Sequence, residues 1–400
     1  MSRDAARAVQ RCYVSLAYSH APTDSRVRRH CEALARRGWR VYQLGLAGEG
    51  EAAVGRLNGV VLVRWRRPRY RGARVTRYLA AYVAFFYWAR RLLQRLRRRR
   101  KIAVIQVNNI PNFMVWAAAP ARRSGTGVIL DIHDPIPELF ASKFSGRAGT
   151  GAIVRLLEWE ERRASRAADL VFCVHEPHRA MTEGHGVAAG TIRVVENLAD
   201  ESLFPLAPAR APAPFVVYHG TVARRMGLDT LLEALHRLRD EGCVVRGAIW
   251  GDGDAVEPLR RTRERLGLTT QVEIPGERFR PEALLPRLQH VGIGVVPLRR
   301  DVFTDIMLPV KVLEYVRLGI PVVATWTPTV AYYFPEGTLT FVRDATPAGV
   351  ADALKRVLAA PDEARQGAAW AQALPIARAW QEGAPAFLRF VAEAAAAHES

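Results

Sequence analysis

Short apolar runs rich in Val, Ile and Leu recur along this 400-residue chain, separated by stretches in which apolar residues return every three or four positions. The first pattern predicts buried strands and the second predicts amphipathic helices. Their alternation predicts parallel sheets covered by helices on both faces. In the first half strands are expected at Cys12–Ala17, Arg40–Leu44, Val60–Arg64, Ala103–Val107, Val128–Asp131, Leu170–Val174 and Arg193–Val195. In the second half they are expected at Phe215–Tyr218, Val244–Trp250, Gln271–Ile274, Gly292–Val296, Pro321–Ala324 and Leu339–Val342. The fold class is α/β, with two Rossmann-like doubly wound domains. Such sheets bind ligands beyond the carboxyl ends of their strands, so two of them facing each other would enclose a cleft.

Between the two sets, Pro205, Pro208, Pro212 and Pro214 stand among alanines, a composition that resists both helix and central strand. This predicts an N-terminal domain over 1–200, a linker over 201–214 and a C-terminal domain over 215–384. An Ala-rich helix over 385–400 is left to pack on either domain, the N-terminal one included. The length exceeds one compact core, and a composition 49% hydrophobic and 24% charged is that of a folded protein. Cys12, Cys31, Cys173 and Cys243 show no paired spacing, which fits a reducing compartment. Met1–Arg11 carries charges where a signal peptide needs an apolar run, so a cytoplasmic location is expected.

Charge sharpens the picture. The net charge is +19, and Arg64–Lys101 alone holds fifteen Arg or Lys residues and no acid, so the basicity belongs to one region. Inside it Tyr78–Ala89 is twelve uncharged residues rich in aromatics, well short of the roughly twenty that span a bilayer. A helix lying against an anionic membrane surface is expected there, peripheral rather than spanning; a helix packed on the sheet with solvated arginines is the plainer alternative. Nucleic acid is not expected as a partner, because the arginines surround an apolar core instead of interleaving with a base-reading motif.

Leu308–Ala324 reads as a short helix followed by a buried strand, with Pro309 in the first turn, Gly319 just past the last and Pro321 opening the strand. Lys311 and Glu314 share a face near the helix N-terminus. That end suits a diphosphate, with Lys311 adding charge and Glu314 accepting from ribose hydroxyls; an exposed Lys–Glu pair fits the same spacing. Tyr218–Leu235 reads as a strand, a basic loop and an amphipathic helix. Gly220 and Gly227 permit close approach of backbone, while Arg224 and Arg225 neutralise phosphate oxygens or stand solvated in a turn. The Gly-Lys-Ser/Thr ending of a Walker loop is absent.

In order, these two segments, Trp250-Gly-Asp-Gly253 and Pro275-Gly-Glu277 resemble the retaining glycosyltransferases of family 4, which have the GT-B fold, and the resemblance runs over most of the chain. It extends to the Asp24-Ser-Arg-Val start of the first helix, as in a bacterial exopolysaccharide branch, and to Asn197-Leu-Ala-Asp200 at the exit of the N-terminal half. The resemblance implies a nucleotide-sugar donor and a glycan or lipid-linked acceptor at a membrane, with no cofactor and no metal. It implies catalytic roles for His133, Arg225 and Lys311, and donor contacts from Gly220, Arg224, Glu277 and Glu314. The family often shows Glu-x7-Glu, and the first of these positions is Ile306 here, so Asp305 or backbone near Met307 takes over the sugar contact. Asp252-Gly-Asp254 lies inside the resemblance and reads as a turn. Cys173, His175 and His178 lack a fourth ligand for zinc. A nucleotide-sugar 2-epimerase shares the architecture and is the rival enzyme; a basic nucleic-acid-binding protein is the rival of another class.

Overall fold

The computed structural model describes residues 10–21, 23–67, 70, 75–277, 279 and 281–398. Arg69, Arg71 and Arg74 of the basic run and residues 1–9 of the N-terminal segment lie outside that set. The chain divides into two compact units, one made of Met1–Asn197 with Gly383–Ser400, the other of Leu198–Glu382.

The first unit is built on an eight-stranded sheet: β1 (Cys12–His20), β2 (Arg40–Leu46), β3 (Val54–Leu57), β4 (Val60–Trp65), β5 (Val104–Asn108), β6 (Gly127–Asp131), β7 (Leu170–Cys173) and β8 (Ile192–Val194). Its order is β3-β4-β2-β1-β5-β6-β7-β8. The pairings are parallel except β3 with β4. β3 was not anticipated. It folds back through Asn58 (φ 48°) and Gly59 (φ 80°), the positive-φ pair that a two-residue hairpin turn requires.

Helices α1 (Ser25–Arg36), α2 (Val75–Arg99), α3 (Ala119–Arg122), α4 (Ile136–Lys143), α5 (Thr150–Ser165) and α6 (Glu176–Gly184) cover the sheet. Asp24 caps α1 by accepting from the Val27 N–H at 3.2 Å, and the helix buries Val27, Cys31 and Leu34. Of the apolar run on α2, Phe85 and Ala89 are buried while Leu79, Val83 and Tyr87 face solvent. The C-terminal helix Trp380–Ala396 stacks Phe387 on His30 at 4.2 Å, and a Cβ on Gly127 would overlap the Ala394 carbonyl. No helix among the described residues is long and apolar enough to cross a membrane.

The second unit carries β9 (Phe215–His219), β10 (Arg246–Trp250), β11 (Val272–Glu273), β12 (Ile293–Val296), β13 (Val322–Thr325) and β14 (Thr340–Val342) in the order β11-β10-β9-β12-β13-β14, all parallel. Helices α7 (Leu228–Asp240), α8 (Val256–Arg265), α9 (Pro281–Leu288) and α10 (Val310–Arg317) are among those that connect them. Strands such as β12 and β13 are buried along their whole length, which is why they read as unbroken apolar runs.

Three helices of the first unit meet at one charged group. His185, at the end of α6, lies 2.8 Å from Glu161 of α5 and 3.1 Å from Glu138 of α4. Burial opposes protonation, yet the two carboxylates outweigh it and push His185 from 6.5 up to about 10. A raised folded value means that this contribution is complete below the unfolded value of 6.5 and is lost as pH rises through about 10. His185→Gln should lower the unfolding free energy by about 3 kcal/mol at neutral pH, because it leaves Glu161 buried without its cation. Denaturant titrations at several pH values should show the difference from the parent protein shrinking toward pH 10.

Candidate functional site

In the second sheet the strand order reverses between β9 and β12, so the loops leaving their carboxyl ends diverge and open a crevice. Glycines set the shape of these loops. Gly220 has φ 113°, and Cβ atoms on Gly251 and Gly253 would overlap the carbonyls of Gly220 and Val222. The Trp-Gly-Asp-Gly loop after β10 therefore lies directly on the loop after β9, with Val222 N–H donating to the Asp252 carbonyl at 2.9 Å. Gly227 has φ 64°, and its Cβ would overlap the Pro297 carbonyl. This seats the Arg224–Met226 turn against the chain leaving β12, where Arg299 N–H donates to the Arg225 carbonyl at 3.0 Å.

α10 starts at Val310 with Pro309 at its N-cap, one place earlier than the first turn expected for that proline. Lys311 reaches from this end to β9. Its Nζ donates to the Tyr218 hydroxyl at 3.1 Å and lies 4.4 Å above the Tyr218 ring, while Tyr218 donates to the Thr221 carbonyl at 2.6 Å. A Cβ on Gly220 would stand 3.4 Å from Lys311 Cε. One turn further on, Glu314 Oε2 is 3.3 Å from His219 Nε2. Burial, with the Lys311 charge adding to it, pushes His219 down to about 3 and keeps it neutral.

Gly220, Lys311 and Glu314 thus share one corner with Tyr218 and His219. Arg225 is half-buried with its guanidinium 5.5 Å from the Phe303 ring, and Arg224 is exposed. Asp305 is held in a bidentate pair with Arg300, at 2.9 and 2.8 Å, so the carboxylate expected to meet a sugar already has a guanidinium partner. Glu277 is exposed in the loop after β11, and Phe279 lies 6.1 Å from the Trp250 ring. An ammonium, a guanidinium and the unpaired N–H groups of a helix start are the parts of an anion site. Among the described residues no group of three or more His, Cys, Asp or Glu is placed to hold a metal ion.

His133 belongs to the first unit. It is half-buried after β6, and its backbone N–H donates to Asn109 Oδ1 at 3.1 Å. Two residues earlier, Asp131 is fully buried and gripped by Arg26 through bonds of 3.0 and 2.8 Å. Arg26 also donates to the Val195 carbonyl at 2.8 Å, and Gln106 donates to Asp131 at 3.0 Å while accepting from Tyr13 at 2.6 Å. Gln106 went unread in the sequence and Arg26 was read only as part of the Asp24-Ser-Arg-Val helix start, although an arginine inside a capped amphipathic helix, on its buried face, signals a buried partner. His175 is committed locally: its Nδ1 accepts from the His178 N–H at 3.0 Å and caps α6.

Two family models match the chain: Glycosyltransferase Family 4 over residues 24–203 and Glycosyl transferases group 1 over residues 213–360. The chain carries two glycosyltransferase domains. Among curated proteins it is 24% identical over 212 residues to WcaI of Escherichia coli K12 and 27% identical over 170 residues to WcaL, both named for glycosyl transfer in colanic acid biosynthesis. Those matches cover 50% and 42% of this chain and span only 51% and 41% of the relatives' own lengths. Among solved structures, sucrose-phosphate synthase from Thermosynechococcus elongatus superposes with a TM-score of 0.74 at 17% identity, over 97% of this chain and all of that one. HepE of Anabaena, solved with UDP and glucose, superposes with a TM-score of 0.69 at 16% identity over 95% of this chain and 99% of that one. The glycosyltransferase domains have the GT-B fold of these neighbours.

Arg26→Met should test the support beneath His133. It leaves the Asp131 carboxylate buried without its guanidinium and should cost about 3–5 kcal/mol in chemical denaturation. Arg26→Met combined with Asp131→Leu should recover part of that loss.

Proposed function

We propose that this chain moves a sugar, with retention of anomeric configuration, from a nucleotide-sugar donor to a lipid-linked glycan acceptor in cell-surface polysaccharide assembly. The observation that carries the reading is Lys311 held over Tyr218 beside Gly220, at the strand-order reversal of the second sheet. A donor diphosphate seated there meets the Lys311 ammonium, the Arg225 guanidinium and the start of α10. These charges stabilise the departing nucleoside diphosphate, so positioning and electrostatics supply most of the catalysis. Glu314 takes the ribose hydroxyls, Gly220 lets the phosphates approach the backbone and Arg224 adds charge at the rim. Glu277 lines the base pocket beside Phe279. Asp305 reaches the sugar only through lone pairs that Arg300 leaves unused.

His133, on the first unit, is assigned to the acceptor's side of the reaction. Its Nδ1 is buried with no hydrogen-bond partner among the described residues, so no hydrogen bond from that atom ties the ring to the fold. The relatives named for colanic acid synthesis favour a polysaccharide acceptor. The Arg64–Lys101 segment would hold the enzyme against the anionic inner face of the cell membrane, where a lipid-linked acceptor resides.

Lys311→Ala and Arg225→Ala should each reduce transfer by roughly two orders of magnitude, the loss of one preorganised partner of the developing charge, with unchanged thermal midpoints. Near-normal turnover in both variants removes the donor assignment. His133→Ala should lower turnover strongly while the Kd for the nucleotide stays close to the parent's. Chelator should leave activity intact, since the side chains already supply the cation; a strict need for added Mg²⁺ or Mn²⁺ contradicts this.

A further inference from the structure

Thirteen large apolar side chains are exposed among the described residues, and six of them sit on just two helices of the first unit. On α2 they are Leu79, Val83 and Tyr87, spaced by four; on α5 they are Ile153, Leu156 and Trp159, spaced by three. Each set forms a single stripe along its helix. Each helix buries its opposite face, α2 through Phe85, Ala89 and Leu93 and α5 through Glu161 and Ala164. Both helices flank the 3₁₀ segment Asn112–Ala117: the Phe86 ring is 6.1 Å from that of Phe113, and Asn112 donates to Glu160 at 3.2 Å. Tyr87 and Trp159 are the chain neighbours of Phe86 and Glu160, so the two stripes run on either side of one segment.

The exposed charged side chains of the two helices are all basic. α2 contains no acid, and its exposed cations include Arg77, Arg91, Arg95, Arg98 and Arg99. On α5 Arg155 and Arg163 are exposed, as is Arg166 just past its end, while Glu158 and Glu160 are half-buried and Glu161 is buried. The Arg163 guanidinium lies 5.6 Å from the Trp159 ring. Apolar side chains tipped with Tyr and Trp and bordered by arginine match an anionic lipid interface: the apolar groups enter the acyl boundary, the aromatics sit at headgroup depth and the arginines meet phosphate.

We infer that α5 is a second membrane-docking element, so that anionic lipid is met by two helical stripes and not by the α2 arginines alone. This rests on the membrane reading above and extends it to a helix outside the basic run. The test is co-sedimentation with phosphatidylcholine vesicles, with and without phosphatidylglycerol. Three proteins are compared: the parent chain, the α5 variant Ile153→Ser/Leu156→Ser/Trp159→Ser, and the α2 variant Arg95→Gln/Arg98→Gln/Arg99→Gln/Arg100→Gln. Arg97 is kept because it donates to the Pro120 carbonyl and to Ser124. The parent should bind only the anionic vesicles, and each variant should bind them at least roughly tenfold more weakly. Thermal unfolding confirms that the variants fold. Independently of that, Leu156→Cys carrying an environment-sensitive dye should shift its emission to the blue on anionic vesicles. An α5 variant that binds like the parent, or a silent dye on a bound protein, overturns the α5 assignment and leaves the α2 reading standing. Vesicle binding unchanged but self-association lost in the α5 variant places a protein on this face and also overturns it. A parent that binds both lipids equally, or neither, removes the membrane reading itself.

Discussion

An almost wholly parallel sheet covered by helices has no wet face, so its polar groups either pair with one another inside it or gather where the strands end. Both units obey this constraint. In the first, the strands themselves bring Ser15, Gln106, Asn108 and Asp131 into a buried polar network. In the second, β9 ends at Tyr218 and His219 directly beneath the reach of Lys311. The close packing around these polar groups also fixes them, because a buried donor or acceptor left unpaired is costly.

The two edges use charge differently. Arg26 and Asp131 are both buried and neutralise each other, so this pair supports the loop that carries His133 without offering net charge to a ligand. At the second edge the balance is left positive. His219 remains neutral beside Glu314, pushed down to about 3 by burial and by Lys311, so the ring adds no competing cation. Lys311 rests on an aromatic face and a neutral hydroxyl instead of a carboxylate. A cation held by neutral partners keeps its field for an incoming anion, which is the physical content of preorganisation here.

The fold class was readable because fully buried strands such as β12 and β13 leave an unbroken apolar run, and because proline and glycine punctuate the helices between them. β3 escaped because only Val54 and Leu57 in it are large and apolar, and both are exposed; Asn58-Gly59 was the signal that could have revealed the hairpin. At the corner between β9 and α10, Gly220 and Lys311 could be picked out by their positions after a strand and at a helix start. Their companions could not. Lys311 meets Tyr218 across 93 residues of chain, and Arg26 meets Asp131 across 105, distances over which spacing carries no information. The pairing of Asp305 with Arg300 was nearer in sequence, yet acid and base five residues apart in a loop share no fixed geometry to read.

The central claim is that a nucleoside diphosphate sits against Lys311 at the β9–β12 reversal. It is tested most directly by thermal unfolding with UDP, GDP or ADP added in excess to the parent chain and to Lys311→Ala. A ligand that binds only the folded state raises its melting temperature by an amount that grows with the logarithm of its concentration over its Kd. The account predicts that at least one of the three raises the Tm of the parent and that the rise largely disappears in Lys311→Ala. A parent unresponsive to all three nucleotides, or a Lys311→Ala protein that responds as fully as the parent, would contradict it.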